Sequence, residues 1–366
     1  SESNDRLSRG GGMSASLWLA IFTTLLFSLP ALAIPRFAAR NGMECIQCHV
    51  NPTGGGMRNE YGRNVFENTF LPWSAKHAPK SWIAESFSDD DADKSASSTG
   101  FSPDVTEWLS LGADARAAYI YIRPDLVSES SGQREITSSF FLMQADLYHA
   151  AKINEYITLY VDVGVYTGFE AWGLLRLTHP DAPLTLYTKV GRFLPPFGIR
   201  EVEHQLFTRE GIGLGGTDRD TGIELDLFWG PLSLNAALLN GTLGDTAFDT
   251  TGSTRRSFEK AISTRTALRA TPLGFRLQLG GSFYWSDNNL QPNPLLASGV
   301  PEGSNSEVQK GAIEMRGGAF VTINRGRLTY LGEAVAVQNR FASNAVPTLT
   351  GYATYQELSL VLTQGL

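Results

Sequence analysis

Leu109-Ser110-Leu111-Gly112-Ala113-Asp114-Ala115-Arg116-Ala117-Ala118-Tyr119-Ile120-Tyr121 is the stretch on which the fold turns. Its odd positions are Leu109, Leu111, Ala113, Ala115, Ala117, Tyr119 and Tyr121, while its even positions include Ser110, Asp114 and Arg116. A period of two, with one apolar and one charged face, belongs to a β-strand. The pattern returns downstream. Ile157, Leu159, Val161, Val163 and Val165 alternate with Thr158, Tyr160 and Asp162; Ile223, Leu225, Leu227 and Trp229 alternate with Glu224 and Asp226. Phe275, Leu277, Leu279, Phe283 and Trp285 alternate with Arg276, Gln278 and Ser282. About twelve such segments follow one another, each long enough to cross a bilayer as a tilted strand.

The intervals between the segments carry independent information. Ile153–Glu155, Pro180–Pro183, Gly230–Pro231, Thr271–Gly274 and Asn324–Gly326 are short. Pro124–Gln133, Pro195–Arg219, Thr242–Ser257, Asp287–Ser306 and Phe341–Leu349 are long, and only the connection near Gly168–Glu170 breaks the rhythm. Outer-membrane barrels join their strands by short periplasmic turns and long extracellular loops, with the amino terminus on the periplasmic side. The expected fold is therefore an all-β transmembrane barrel over residues 107–366, its apolar face toward lipid. Its lumen would carry Asp114, Arg116, Asp146, Asp162, Arg176, Lys189, Glu224, Asp226, Arg265, Arg269 and Arg276. That interior is of mixed sign, several of its charges paired across strands, with no single-sign stripe to select ions strongly.

Composition agrees with a folded chain. Of 366 residues 42% are apolar and 18% charged, which excludes intrinsic disorder. A net charge of −7 argues against nucleic acid as a partner. Leu17–Leu29 is an apolar run of signal-peptide length, followed by the cleavage-like Ala31-Leu32-Ala33 and preceded by Arg6 and Arg9. Residues 1–33 are read as a signal peptide, with a membrane anchor as the alternative. The chain begins at Ser1 and ends at Leu366 without the terminal aromatic residue common in outer-membrane barrels, so a fragment is expected.

Two cysteines cannot make a disulfide scaffold, but both fall in Cys45-Ile46-Gln47-Cys48-His49. C-x-x-C-H is the attachment sequence of a c-type haem: two thiols add to the porphyrin vinyl groups and the histidine meets the iron. A redox C-x-x-C needs no histidine and expects a βαβ setting, and a zinc site needs further Cys or His ligands. Residues 34–85 are thus expected to form a small, mainly helical and loop cytochrome c domain with one haem c. Cys45, Cys48 and His49 are its cofactor-binding residues, His49 is the axial iron ligand, and Met57 or His77 is the candidate sixth ligand. Gly54–Gly56 is a turn or a close approach of backbone to the ring, and lacks the Lys-Ser/Thr of a phosphate loop. Arg36, Arg40, Arg58 and Arg63 are candidates for neutralising propionates, or else solvated surface charges. Residues 86–106 have linker composition, including the Asp89–Asp93 run. Gly211–Gly216 has no strand-to-helix context and is not a dinucleotide fingerprint.

Val190-Gly191-Arg192-Phe193-Leu194-Pro195-Pro196-Phe197-Gly198 resembles the G-x-F-x-x-P-F segment of phosphate-selective-type porins, and Arg219–Ile223 with Asn240-Gly241 resembles the later part of that pattern. Together with Pro35–Gly42 and the haem motif, the whole chain resembles outer-membrane monohaem cytochrome–porin fusions, among them the fused cytochrome porins of iron-oxidising bacteria. The resemblance implies a barrel of up to sixteen strands with a cytochrome in or at its mouth. It implies electron transfer between an extracellular donor or acceptor and periplasmic carriers such as soluble cytochromes, in the outer membrane of a Gram-negative bacterium. Ferrous iron is the donor in the iron-oxidising group, and Asn51–Gly62 departs from that group's pattern. The alternatives are a solute or anion porin whose haem domain is a sensor or plug, and a haem enzyme, an iron-oxidising oxidoreductase, with an open sixth site.

Overall fold

The computed structural model describes residues 35–66, 105–122, 137–165, 168–200, 206–241, 260–288, 312–340 and 347–361. The chain divides into two compact units, Ser1–Ile34 and Pro35–Leu366, and every described residue belongs to the second. The Leu17–Leu29 run, His77 and Asp89–Asp93 lie outside the described residues.

A short helix α1 (Pro35–Asn41), a 3-10 turn (Cys45–Gln47) and a π-helical turn (Tyr61–Phe66) precede the strands. These are β1 (Leu109–Ile122), β2 (Thr137–Lys152), β3 (Ile157–Gly164), β4 (Gly168–Arg176), β5 (Leu184–Phe193) and β6 (Asp220–Trp229). β7 (Leu232–Leu239), β8 (Ala261–Ala270), β9 (Arg276–Asn288), β10 (Ala312–Arg325), β11 (Leu328–Arg340) and β12 (Leu349–Leu360) complete the sheet. Each strand pairs antiparallel with its sequence neighbours, in the order β1 to β12. Consecutive strands therefore turn at alternate ends. At one end lie the short connections 153–156, 177–183, 230–231, 271–275 and 326–327; at the other lie 123–136, 194–219, 240–260, 289–311 and 341–348. The exception is the connection 165–167, short at the long-loop end.

Burial along the strands is inverted relative to a water-soluble sheet. Leu147, Leu159, Val163, Val190, Ile223, Leu225, Leu268, Leu279, Phe283 and Leu358 are exposed, while their neighbours Asp146, Asp162, Lys189, Glu224, Asp226 and Ser282 are buried. Strand periodicity sends alternate side chains to opposite faces, so the sheet has one apolar outward face and one polar inward face. Among the described residues no helix is long and apolar enough to cross a membrane.

The sheet departs from the expected closed barrel in one respect: among the described residues β1 and β12 are edges and do not pair with each other. What lies against the inward face supplies the reason. Residues of 35–57 touch both edges, since Arg36 pairs with Glu357 on β12 (3.0 Å) and Met57 packs at Gly112 on β1. Barrel diameter grows with strand number, and about eight strands enclose side chains alone. A sheet that also surrounds folded backbone needs a larger circumference for the same closure.

Candidate functional site

The cysteine motif forms a single helical turn. Cys48 N and His49 N both donate to Cys45 O (3.1 and 2.9 Å), which places the two cysteines one turn apart on the same side. Gln47 closes the turn by accepting from Glu44 N through Oε1 (2.9 Å). The chain then folds back on itself: His49 bridges Arg58, and Val50 N donates to Met57 O (3.1 Å). Asn59 ties this hairpin to the motif, its Nδ2 donating to Ile46 O and Gln47 O (3.0 and 3.2 Å).

Gly54, Gly55 and Gly56 make the return, with φ of 88°, 77° and 59°. This left-handed region is costly for residues with a Cβ. Space is equally restrictive. A Cβ on Gly54 would lie 2.9 Å from Cys45 Cβ, one on Gly55 2.7 Å from Arg200 Nε, and one on Gly56 2.1 Å from Tyr160 Oη. The triple glycine is thus the place where a cysteine, an arginine from the β5–β6 connection and a tyrosine of β3 all meet backbone.

The inward face of the sheet receives this hairpin through a chain of buried polar groups. Asn51 Nδ2 donates to Glu170 Oε1 (3.3 Å), and Asn51 Oδ1 accepts from Lys189 Nζ (3.1 Å). Lys189 is itself paired with Glu224 (2.6 Å), both side chains fully buried. Glu170 also accepts from Trp172 Nε1 (2.8 Å) and from Arg219 Nε (2.9 Å), whose Nη2 lies 3.6 Å from Asp162. Arg200 Nη1 donates to Thr53 Oγ1 (3.1 Å), and Tyr160 Oη accepts from Met57 N (3.2 Å). Nearer the short turns, Arg269 pairs with Glu44 (3.0 Å) and donates to Gly42 O (3.2 Å).

The Val190–Gly198 segment takes part as well. Beyond β5, Pro195–Ile199 lies buried across the inward face: Ser263 Oγ donates to Pro196 O (2.7 Å), Gly198 N to Ser282 Oγ (2.7 Å) and Arg265 Nε to Gly198 O (2.8 Å). Arg209 anchors the rest of the connection to Glu333 on β11 (3.0 Å).

The electrostatics around the motif follow from this enclosure. Burial, with Arg58 and Arg200 nearby, lowers the His49 pKa to about 4, while the Gly55 and Gly56 backbone opposes the shift. The imidazole is therefore neutral at physiological pH, and its Nδ1 is buried without meeting hydrogen-bond geometry. Burial raises both thiols, opposed at Cys45 by Arg265 and at Cys48 by Arg58. Neither cysteine is in a disulfide.

Two free thiols one turn apart beside a neutral imidazole are the donor set that a covalently tethered haem takes. No cluster of three or more His, Cys, Asp or Glu poised for a bare metal ion exists among the described residues. The cavity at Cys45, lined by Thr53, Pro196, Phe197, Arg200 and Arg265 among others, measures about 30 Å³. The donors fit; the space is tight, and a porphyrin there requires the Gly54–Gly56 turn or the Pro195–Ile199 stretch to give way.

Of the candidate residues, the structure brings Cys45, Cys48 and His49 together. Met57 is 4% exposed and packs in the cluster with Tyr148, Tyr160 and Trp172. Of the four arginines near the motif in sequence, only Arg58 faces His49. Arg36 reaches Glu357, Arg40 lies over Phe37, and Arg63 donates to Asn59 O (3.4 Å). Arg200, Glu170 and Asn51 were not singled out by the sequence pattern. The one available signal was the broken loop rhythm at Gly168–Glu170.

No protein-family model matches the chain, and no curated protein is significantly similar to it.

Proposed function

We propose that this protein is an outer-membrane electron carrier, a porin-like barrel holding one covalent haem c at Cys45 and Cys48 with His49 as an axial iron ligand. The observation that carries the proposal is the meeting of two features: a C-x-x-C-H turn, and the polar inward face of a sheet whose other face is apolar. An apolar outward face suits lipid, and antiparallel strands with alternating faces suit a transmembrane barrel. A haem supplies one-electron transfer; the chain's own residues hold and surround it. Cys45 and Cys48 provide the tether, His49 is kept neutral by burial, and Asn51, Lys189 and Glu170 fix the hairpin to the wall. Its electrons would pass between an extracellular donor or acceptor and periplasmic carriers.

The test is spectroscopic. Protein extracted from outer membranes should show a c-type absorbance that survives denaturation, and Cys45→Ala with Cys48→Ala should abolish it. Reduction of that haem in intact cells by a membrane-impermeant reductant is expected. Loss of the band in the parent protein, or haem that no impermeant reagent reaches while liposomes pass phosphate, would replace this reading with a solute porin.

A further inference from the structure

Arg200, Arg209 and Arg265 line the cavity at Cys45, and their partners differ. Arg209 has a carboxylate of its own, Glu333 at 3.0 Å. Arg200 donates through Nη1 to Thr53 Oγ1 (3.1 Å), while its Nη2 stands 3.8 Å from Glu170, beyond hydrogen-bond reach. Its Nε is buried without meeting hydrogen-bond geometry. Glu170 is engaged at closer range by Arg219 Nε (2.9 Å) and Trp172 Nε1 (2.8 Å). Arg265 donates to a backbone carbonyl, Gly198 O (2.8 Å), reaches Asn235 Oδ1 only at 3.5 Å, and lies 4.7 Å over the Phe320 ring. Glu44, the carboxylate beside Cys45, is taken by Arg269 (3.0 Å). Among the described residues the cavity therefore holds two guanidinium groups with no carboxylate in hydrogen-bond contact. Arginine stays charged at physiological pH, and a charge withdrawn from water without a close counter-charge is costly.

Both groups also stand at the tether and at the pieces that must shift for a porphyrin. A Cβ on Gly54 would lie 3.0 Å from Cys45 Sγ and 3.9 Å from Arg200 Cδ, so thiol and arginine flank one glycine. Arg200 and Arg265 both oppose the burial that raises the Cys45 thiol. Arg265 holds Gly198 within Pro195–Ile199, and Arg200, the residue after that stretch, holds Thr53 beside the glycine turn. Displacing either piece frees donors on these arginines.

We infer that Arg200 and Arg265 bind the two propionate carboxylates of the haem, exchanging Thr53 Oγ1 and Gly198 O for them. The inference rests on the proposed haem attachment and adds which side chains receive the acidic edge of the ring. Two carboxylates match two cations in number, and the planar fork of a guanidinium matches a carboxylate in shape. The arginines nearest the motif in sequence are placed otherwise, Arg36 on Glu357 and Arg40 over Phe37.

The experiment titrates the full-length protein, refolded in detergent without haem, with zinc protoporphyrin IX and with its dimethyl ester, following porphyrin fluorescence. The first has two free carboxylates and the second has none. The diacid should bind about tenfold more tightly or better. Arg200→Gln and Arg265→Gln should each weaken the diacid by about tenfold and leave the ester unchanged, while Arg200→Lys, which keeps the charge, should recover part of the loss. In protein taken from outer membranes the Gln variants should lower the haem midpoint potential, because a cation near the ring favours the less positive ferrous iron. A heat-modifiable gel shift selects folded variants; should neither fold, the preference of the parent for diacid over ester decides. Equal affinity for the two porphyrins, binding of neither, or variants that weaken both alike overturns the inference. The c-type band is read on a separate, membrane-derived sample. A band without a diacid preference overturns the inference alone, and a missing band refutes the haem attachment on which it rests.

Discussion

Gly56→Ala is the sharpest perturbation of the contact between the cysteine hairpin and the sheet. At φ of 59° an alanine carries about 1–2 kcal/mol of backbone strain. Its Cβ would also stand 2.1 Å from Tyr160 Oη, so the tyrosine must leave. Leaving forfeits the hydrogen bond from Met57 N, about 1 kcal/mol, and the stacking on Trp172 at 4.6 Å, about another 1 kcal/mol. The expected cost of the single change is therefore about 3–4 kcal/mol. Tyr160→Phe removes the hydroxyl and leaves the nearest ring carbon 3.1 Å from that Cβ, tight but tolerable. Alone it costs about 1–2 kcal/mol, because Met57 N is left buried without its acceptor. In the double variant only the strain and the missing bond remain, so the two changes should fall short of additivity by about 1–2 kcal/mol. The assay is urea unfolding of the detergent-refolded protein, with limited proteolysis of residues 35–66 as a local readout. Strict additivity, or a Gly56→Ala variant as stable and as protected as the parent, would refute the packing of this turn on β3.

Arg219→Met removes the nearest cation from the buried Glu170, which keeps Asn51, Trp172 and the more distant Arg200 (3.8 Å), and should destabilise by about 2–3 kcal/mol in the same unfolding assay, with Arg219→Met/Glu170→Gln recovering part of the loss. Leu225, 43% exposed at the middle of β6, should cost about 2–4 kcal/mol when replaced by Arg if that face meets hydrocarbon, measured by folding into liposomes. A neutral result there would put the face in water. In the β5–β6 connection, burial raises Glu210, reinforced by Asp218, and burial raises Asp218 against the opposing Gly215 N–H (2.6 Å). Both carboxyls bind protons more tightly when folded, so their contribution is complete below the unfolded values and is lost as pH rises through the folded ones. Hydrogen exchange over residues 206–219, corrected for intrinsic rate, should show greater protection at pH 5 than at pH 8; the reverse order would contradict the assigned directions.

Much of the sheet was legible because strand alternation is local. Ile157 to Val165 carries its apolar and polar faces within nine consecutive residues, and the structure exposes Leu159 and Val163 while burying Tyr160 and Asp162. Turn lengths were legible for the same reason, down to the short connection after β3. The surroundings of the motif were not, because they are assembled by distant contacts. Asn51 meets Glu170 and Lys189 across 119 and 138 residues, and Thr53 meets Arg200 across 147. No period links such positions. Proximity in sequence even pointed elsewhere: Arg36 and Arg40 lie beside the motif in the chain, but Arg36 runs to β12 and Arg40 lies over Phe37, whereas Arg200 and Arg265 arrive at Cys45 from afar.

The state of the inward charges bears on whether electrons or solutes are carried. A pore wall offers its charges to water and permeant ions, and exposed pairs there are worth little. Here Lys189 and Glu224, each 0% exposed, pair with each other, Lys189 also donates to Asn51 of the hairpin, and the equally buried Asp226 accepts from Asn235 Nδ2. Arg209 and Glu333 are similarly closed by the β5–β6 connection. Charges removed from water are tolerable only while paired, so this polar face works as a mating surface that holds its two inner segments in place. Solute passage would require those segments to leave and the pairs to be rehydrated. Under the proposed electron-transfer reading the hairpin keeps its place on the wall through Asn51, and only the Gly54–Gly56 turn or the Pro195–Ile199 stretch has to shift for a porphyrin. Asn51→Ala, which removes the hinge between Glu170 and Lys189, should therefore raise single-channel conductance in planar bilayers; a parent protein that already conducts as freely as the variant would reverse the argument.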